Sequence, residues 1–308
     1  MQSAEIIIGT RGSPLALAQA EETRARLSVA LRLEPEAIAI LPIRTTGDRI
    51  TDRSLMEAGG KGLFTKEIDE ALLSGAIHIA VHSAKDLPTR LPDEIVIAAC
   101  LEREDVRDAF LSPVVSRLTD LKQGAVLGTS SLRRRAMALR LRPDLRIVEM
   151  RGNVQTRMRK LAEGHADATL LAMAGLKRLG LVDHSRGAID TDDWLPAAGQ
   201  GAIAIAARVG DSATLERLAA IDHAETSTAL ASERAYLAVL DGSCRTPIGG
   251  LARIDGDELD FKGIIVRPDG SEAHAVARRG SVADAERIGA DAGAELAARG
   301  GPAFFAEA

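Results

Sequence analysis

Short apolar runs alternate with longer amphipathic stretches through the first part of the chain. The β-branched run at residues 5–9 predicts a strand, and residues 15–33 have the mixed apolar and polar pattern of a helix. Between them, Ser13 and Pro14 are the residue types favoured at a helix N-cap and at the first helical position. Residues 38–43 predict the next strand, so the chain opens as a strand–helix–strand unit.

The same strand–turn–helix pattern returns near residue 125. A short apolar strand precedes the turn Gly128-Thr129-Ser130-Ser131, and a predicted helix follows it. Gly9-Thr10 stands at the corresponding place in the first unit, and residues 72–84 resemble residues 161–175 in a similar way. The pattern therefore predicts two similar α/β units within the first 200 residues. Chance similarity stays open, because strand–glycine–helix turns are common.

The pattern changes after residue 226. Residues 226–240 predict a helix, and a loop rich in glycine and proline follows it. Short strands then alternate with hairpin turns at Asp255-Gly256 and Pro268-Asp269-Gly270, before an alanine-rich helix at residues 282–299. This part of the chain is predicted to be a small α+β domain. The charged stretch at residues 102–108 is the first candidate boundary within the preceding part.

Composition and charge narrow the class of protein. Aromatic residues make up 2% of the 308 residues, and the formal net charge is −5, so a nucleic-acid-binding protein is not expected. No uncharged apolar run approaches the length of a membrane span, and no signal sequence is recognised. Cys100 and Cys244 are far apart and the histidines lack metal-ligand spacing, so we expect neither a disulfide nor a metal site. These features favour a cytoplasmic protein.

Arginines occur at several predicted strand–helix turns. Arg11 lies in the first turn, three consecutive arginines begin at Arg133 in the second, and Arg151 and Arg157 flank a third. Positive side chains oppose the dipole at a helix N-terminus, at a cost of about 0.3–1 kcal/mol each. Their recurrence predicts a pocket for a small ligand with several carboxylates or phosphates. Solvated surface arginines are the alternative.

Two further residues could carry chemistry. Asp86 follows an apolar strand predicted at residues 77–81, at the edge of a sheet where α/β proteins bind ligands. Among so many cations this carboxylate could stabilise a cationic intermediate, although it could also be an ordinary turn residue. Cys244 lies in the glycine- and proline-rich loop beside Arg245, which would favour a thiolate. An incidental surface thiol is the alternative for Cys244.

Several stretches together resemble one enzyme family, in the family's order, over about residues 6–250. They are IGTRGSPLALAQA (8–20), TTGDRITDRSLMEAGGKGLFTKEIDEALL (45–73), IAVHSAKDLP (79–88), LGTSSLRRRA (127–136), RGNVQTRMRKL (151–161), AGLKRLG (174–180), PAAGQGAIAI (196–205) and LDGSCRTPIGG (240–250). In these stretches the chain resembles the porphobilinogen deaminase (hydroxymethylbilane synthase) family. Ser243 stands where many members have glycine, and past residue 250 the resemblance is weak.

The resemblance implies an α/β fold of three domains. Two are lobes like those of periplasmic binding proteins, with the active site in the cleft between them, and the third is a small C-terminal α+β domain. It implies domain 1 at residues 1–101 plus 200–220, domain 2 at 102–199, and domain 3, carrying the cofactor cysteine, at 221–308. Residues 44–62 match a flexible loop over the cleft.

The resemblance also implies an activity. A family member is a transferase that joins four porphobilinogen units into the linear tetrapyrrole hydroxymethylbilane and releases ammonia. The chain grows on a dipyrromethane cofactor, which a thioether would attach to Cys244. Asp86 matches the catalytic aspartate, which would hydrogen-bond pyrrole N–H groups and stabilise an azafulvenium-type cation.

Other positions match residues that bind carboxylate groups or the rings. The cofactor-binding matches are Ser83, Lys85, Thr129, Ser130, Ser131, Arg133, Arg134 and Arg151, and the substrate-binding matches are Arg11, Ser13, Arg157, Arg178 and Phe64. The family precedent is a cytoplasmic monomer in porphyrin and heme biosynthesis, with no nucleic-acid or membrane partner.

The main alternative is a non-catalytic protein with two lobes that binds a small anion. It would explain the arginines, but it would need neither Asp86 nor Cys244. A phosphate-ligand transferase is a weaker alternative, because GGKGLF lacks the spacing of a Walker phosphate loop.

Overall fold

The computed structural model describes residues 4–49, 64–240 and 246–304. Its strands in these ranges are β1 (Ile6–Arg11), β2 (Ile38–Ile43), β3 (Ile79–Ser83), β4 (Ile95–Cys100), β5 (Asp108–Leu111), β6 (Val126–Gly128), β7 (Arg146–Val148), β8 (Ala168–Ala172), β9 (Gly187–Ala188), β10 (Ile203–Arg208), β11 (Ile248–Asp255), β12 (Glu258–Val266) and β13 (Ala273–Ser281). Its α-helices there are α1 (Pro14–Leu31), α2 (Thr46–Arg49), α3 (Lys66–Leu73), α4 (Leu132–Leu141), α5 (Val154–Ala162), α6 (Met173–Arg178), α7 (Ser212–Ala219), α8 (Ala224–Val239) and α9 (Ala285–Gly300). Short 3-10 helices include Ala84–Asp86 and Val282–Asp284.

The chain divides into two compact units. Unit 1 comprises Met1–Glu104 and Ala202–Ser227, and unit 2 comprises Asp105–Gly201 and Thr228–Ala308. The ends of unit 1 lie within a few residues of the predicted crossings after residue 101 and near residue 200. The predicted third domain at 221–308 falls in unit 2 apart from its first residues, and its separate status remains a prediction.

Unit 1 is built on a five-stranded mixed sheet with the order β2-β1-β3-β10-β4. The strands β1, β2 and β3 run parallel, whereas β10 is antiparallel to both of its neighbours. Their buried β-branched residues, such as Ile8 and Val81, pack against the apolar face of α1, which includes Ala20 and Leu27. The sheet therefore fixes the ends of β1 and β3 next to each other.

Unit 2 contains a second five-stranded sheet with the order β7-β6-β8-β5-β9. Here too the first three strands are parallel and the fourth is antiparallel to its neighbours. The registers also correspond, because Gly9 pairs with Ala80 in the first sheet and Gly128 pairs with Thr169 in the second. The two similar α/β units predicted from the sequence are confirmed at the level of topology.

The helices that follow β1 and β6 begin with serine hydroxyl caps, of which Ser13 was predicted. The Ser13 hydroxyl accepts a hydrogen bond from the Ala16 amide at 3.3 Å, and Ser131 accepts one from the Arg134 amide at 3.4 Å. Helix α1 ends at Arg32, whose φ of 54° lies in the left-handed region. Both helices therefore start directly after a strand, with free N–H groups at the carboxyl edge of the sheet.

The last part of the chain forms the antiparallel sheet β11-β12-β13, packed with α8 and α9 around Tyr236 and Phe261. Both predicted hairpin turns are present, with Gly256 and Gly270 at positive φ. At Gly289 the two helices approach so closely that a Cβ atom would lie 1.9 Å from the Ser232 carbonyl oxygen. The small α+β domain in the predicted fold class is confirmed.

Candidate functional site

A recess in unit 1 lies where β1 and β3 end. It holds about 50 Å³ and is lined by Arg11, Ser13, Leu15, Ala16, Gln19, Phe64, Thr65, Val81, His82, Ser83 and Asp86. The sheet places the turn after β1 beside the 3-10 helix after β3, which is why residues more than 70 positions apart in the chain share one wall. Five predicted site residues, Arg11, Ser13, Phe64, Ser83 and Asp86, are brought together here.

The side chain of Arg11 lies over an aromatic ring. Its guanidinium carbon is 4.2 Å from the centroid of the Phe64 ring, which is cation–π geometry. One face of Phe64 is thus covered by Arg11. The Arg11 cation therefore lies in the wall of the recess.

His82 is a recess residue for which the sequence suggested no role. It is 7% exposed, and burial, together with the charge of Arg11, lowers the pKa of its imidazole to about 4. Its ring is therefore neutral at pH 7. Its Nε2 atom is buried without a hydrogen-bond partner among the described residues. The only signal in the sequence is its position between an apolar strand and Ser83.

Gln19 was also missed, and it contacts a predicted cofactor-binding residue. Its side-chain amide and the Ser83 hydroxyl are hydrogen-bonded, with distances of 2.9 Å from Nε2 and 3.1 Å from Oε1. Gln19 is buried on the face of α1 that also carries Ala16 and Ala20. Its periodic position among small buried residues was the available signal.

Asp86 lines the same recess, and Lys85 precedes it in the chain. Both belong to the 3-10 helix Ala84–Asp86, and Asp86 is exposed while Lys85 is half-buried. The recess thus combines a guanidinium, a neutral imidazole, hydroxyls and an accessible carboxylate. This set can bind a ligand carboxylate and stabilise positive charge next to it.

In unit 2 the turn from β6 into α4 carries the predicted hydroxyl residues. Thr129 accepts a hydrogen bond from the Ser131 amide at 3.2 Å, and Ser131 caps the helix. The Ser130 Oγ is buried and has no partner among the described residues. An oriented hydroxyl at a helix N-terminus is suited to an anionic ligand.

Arg133 and Arg134 are buried, with 4% and 5% exposure, so the surface alternative is wrong for them; Arg135, in contrast, is exposed. Each donates a hydrogen bond at 2.7 Å to a different oxygen of Asp108. Trp194 Nε1 and Gln200 Nε2 donate to the same carboxylate at 2.7 and 2.8 Å. Burial opposes ionisation of Asp108, but the two guanidinium groups outweigh it and hold its pKa well below the usual range.

The other predicted arginines of unit 2 lie on separate elements. Arg151 follows β7 and has its Nε 3.6 Å from a carboxylate oxygen of Glu149. Arg157, on α5, donates through Nε to the Gly152 carbonyl at 2.8 Å, and Arg178, at the end of α6, donates to the Gly201 carbonyl at 3.2 Å. Their binding roles remain predictions.

Two predictions fall on parts of the chain that are not described. Cys244, the predicted attachment site, lies outside the described residues, and so do residues 50–62 of the predicted loop at 44–62. Cys100 is fully buried in β4, as expected for a structural cysteine. Within the described ranges, no helix has both the length and the apolar character needed to cross a bilayer.

Comparison with known proteins identifies relatives over nearly the whole chain. Residues 6–216 match the family described as porphobilinogen deaminase, dipyromethane cofactor binding domain, and residues 227–298 match porphobilinogen deaminase, C-terminal domain. Curated porphobilinogen deaminases from Nitrobacter winogradskyi and Nitrobacter hamburgensis are each 58% identical over 298 residues, covering 97% of this chain and 94% of theirs.

Solved structures that are similar to this chain include periplasmic binding proteins. One is the periplasmic substrate-binding protein of an ABC transporter from Coxiella burnetii, with a TM-score of 0.42, 16% identity, and coverage of 70% of this chain and 91% of that chain.

The matched regions support the enzyme prediction and not the non-catalytic anion-binding alternative. Both family descriptions and the highly similar relatives agree from residue 6 to residue 298. The chain therefore belongs to the porphobilinogen deaminase family.

Proposed function

We propose that the recess of unit 1 serves the family's transferase reaction in this chain. Porphobilinogen units are joined head to tail into hydroxymethylbilane, and one ammonia is released for each unit added. The observation that carries the proposal is the recess itself, where a carboxylate, Asp86, accompanies a cation, Arg11, at the ends of β1 and β3. A substrate with two carboxylates and an aminomethyl group needs both kinds of charge.

Asp86 is the proposed catalytic residue. Its exposed carboxylate can accept hydrogen bonds from a pyrrole N–H. As ammonia leaves, positive charge develops at the methylene carbon of the substrate, and a nearby carboxylate lowers the energy of that state. Arg11 keeps a cation in the same recess for a substrate carboxylate, which fixes the ring relative to Asp86.

The cofactor proposed for this chain is dipyrromethane, attached through a thioether to Cys244. The residues fit such a group, because its carboxylates require N–H and O–H donors and Ser130 Oγ, Arg133 Nε and Arg134 Nε are buried without partners among the described residues. When bound, dipyrromethane supplies the free pyrrole carbon to which the first substrate unit adds. The residues proposed to hold it are Ser83, Lys85, Thr129, Ser130, Ser131, Arg133, Arg134 and Arg151.

Further side chains are proposed to bind the substrate. They are Arg11, Ser13, Phe64, Arg157 and Arg178. Each added pyrrole brings two more carboxylates, so many cations are needed in a chain whose net charge is −5. Consistent with that charge, we propose a monomer acting in the cytoplasm, with porphobilinogen as its small-molecule partner and no nucleic-acid or membrane partner.

Intact mass tests the attachment site. Wild-type protein incubated with porphobilinogen should carry the mass of two linked pyrrole units, and Cys244→Ser should lack it. Cys100→Ala is the matched control, because Cys100 is buried in β4 and should leave the added mass unchanged. Wild-type protein that carries no added mass after the incubation, or a Cys244→Ser variant that still carries it, would contradict the proposal.

Turnover tests Asp86. Asp86→Asn keeps the shape but removes the charge, and we expect kcat to fall by about 100-fold or more. Asp93→Asn, at another exposed aspartate of unit 1, is the control and should behave like wild type. Near-normal turnover in Asp86→Asn would remove this residue from the reaction.

A further inference from the structure

Asp108 is a buried carboxylate with an unusually complete set of donors. It has 0% exposure and accepts hydrogen bonds from Arg133, Arg134, Trp194 and Gln200, all between 2.7 and 2.8 Å. The donors come from α4 and from the segment near residues 194–200. One carboxylate therefore fixes the positions of two adjacent guanidinium groups from the same helix turn.

The charges in this cluster do not cancel. Asp108 supplies one negative charge, whereas Arg133 and Arg134 remain protonated and supply two positive charges. Ordinarily a buried charge is paired, because desolvation of an unpaired one is costly. One positive charge is thus left over at the N-terminus of α4, where the helix dipole adds to it.

Hydrogen-bond donors are left over as well. Each guanidinium carries five N–H donors. Their oxygen acceptors are Asp108 for both, the Leu195 carbonyl for Arg133 and the Leu170 carbonyl for Arg134, each at 2.7–2.8 Å. The Nε atoms of both arginines are buried with no partner among the described residues. The unused donors and the excess charge point to an anionic group that completes the cluster.

We infer that Asp108 is a positioning residue for cofactor attachment, which orients Arg133 and Arg134 while neutralising only one of them, so that the pair receives one ligand carboxylate. This inference rests on the proposed function, in which both arginines hold the cofactor. Asp108 itself touches neither cofactor nor substrate in this scheme. It acts by holding the two arginines in a single arrangement before the ligand arrives, which reduces the ordering that binding requires.

The Asp108→Asn variant distinguishes a role of Asp108 in orienting Arg133 and Arg134 from a role in balancing their charge. The substitution raises the net positive charge of the cluster, and it replaces one of the two oxygens that align the arginines with an amide nitrogen that donates and cannot accept. Positioning predicts that the fraction of folded chains carrying the two-pyrrole mass, after a fixed incubation with porphobilinogen, falls by about tenfold or more. If Asp108 only balances charge, the variant should acquire the two-pyrrole mass as fast as wild type or faster. Trp194 emission should also differ from wild type, because the indole N–H donates to Asp108 and this is the only tryptophan.

Asp144→Asn is the matched control. Asp144 forms a two-point pair with Arg142, at 2.7 Å for each bond, at the other end of α4. Its loss should leave attachment within about twofold of wild type. Trp194→Phe provides a milder test that keeps every charge and removes one hydrogen bond to Asp108, and attachment should slow by about fivefold. This variant decides the question if Asp108→Asn does not fold.

The outcomes are distinct. Slower attachment in both Asp108→Asn and Trp194→Phe, with Asp144→Asn unchanged, supports the inference. Attachment per folded chain equal to or faster than wild type in these variants overturns it while leaving the proposed function intact. Wild-type protein that never gains the two-pyrrole mass overturns the proposed function and this inference with it.

Discussion

The two five-stranded sheets have the same strand order but place their arginines in different surroundings. In unit 1, Arg11 is the last residue of the first strand and lies over Phe64 in an open recess beside a neutral His82. In unit 2, Arg133 and Arg134 follow the equivalent strand and are buried against Asp108. The first arrangement places an arginine against an aromatic ring in the wall of a recess, and the second holds two arginines buried around one carboxylate.

The difference shows that one topology can support two ways of presenting positive charge. Gly9 and Gly128 are the last residues of β1 and β6 that pair with β3 and β8. In both units a serine caps the following helix, and arginine lies at the end of β1 and in the first turn of α4. The strand order decides where these groups lie. The neighbours supplied by other segments, an aromatic ring in one unit and a carboxylate in the other, decide what the arginines can do.

The largest loss of stability should come from removing the Asp108 carboxylate in unit 2. Asp108→Ala leaves two buried guanidinium groups without their counterion, and we expect a loss of about 3–5 kcal/mol in the free energy of unfolding. Urea denaturation followed by Trp194 fluorescence reports on unit 2, which contains that single tryptophan. Arg11→Ala in unit 1 is the comparison and should leave this transition unchanged. Equal midpoints for wild type and Asp108→Ala would contradict the assigned cluster.

The next effect concerns the neutral imidazole of unit 1. Because the folded-state pKa of His82 is lowered to about 4, the unfolded chain binds more protons than the folded chain between about pH 4 and pH 6.5. Stability should therefore fall as the pH falls through this window, with His82 contributing about 3 kcal/mol to the loss.

His82→Phe should remove that contribution. The unfolding free energies of wild type and variant, measured by circular dichroism in urea from pH 7 to pH 4, should change with different slopes. His165→Phe, at an exposed histidine in unit 2, should keep the wild-type slope. Parallel pH profiles for wild type and His82→Phe would show that the imidazole titrates normally in the fold.

A smaller effect should distinguish the equivalent glycines. A Cβ atom on Gly9 would lie 2.2 Å from Cδ1 of Ile77, and one on Gly128 would lie 2.4 Å from Cε of Met150. Overpacking costs about 1–3 kcal/mol, and a flexible methionine yields more easily than a branched isoleucine. Gly9→Ala should therefore lose more unfolding free energy than Gly128→Ala in urea titrations. A larger loss for Gly128→Ala would show that Ile77 yields to an added methyl group more easily than Met150 does.

Local sequence patterns predicted many of the helices and their N-terminal caps. The caps Ser13 and Ser131 were identifiable because hydroxyl residues satisfy free N–H groups at a helix start. The predicted helices at 226–240 and 282–299 correspond to α8 at Ala224–Val239 and α9 at Ala285–Gly300. The residues that determine these caps and helices lie within a few positions of them in the chain, so local sequence is enough to predict them.

The arrangement around the arginines could not be predicted in the same way. Asp108 stands in the charged stretch at 102–108, which by composition indicates a boundary, yet it begins β5 inside unit 2. Its partners lie 25 or more positions away, so only the folded sheet brings them together. The neutral state of His82 depends likewise on burial and on Arg11, which no local pattern encodes.

The mildest change should test whether the Phe64 ring positions Arg11 for a ligand. Phe64→Leu retains apolar volume but removes the aromatic face 4.2 Å from the Arg11 guanidinium, which is worth about 0.5–1 kcal/mol at an exposed site. If Arg11 binds a substrate carboxylate as proposed, KM for porphobilinogen should rise by about two- to fivefold with kcat nearly unchanged. Phe64→Tyr keeps the ring and should retain the wild-type KM in the same steady-state assay. Equal KM values for the leucine and tyrosine variants would show that the ring does not hold Arg11 for the ligand, and a fall in kcat would instead place Phe64 against the reacting groups.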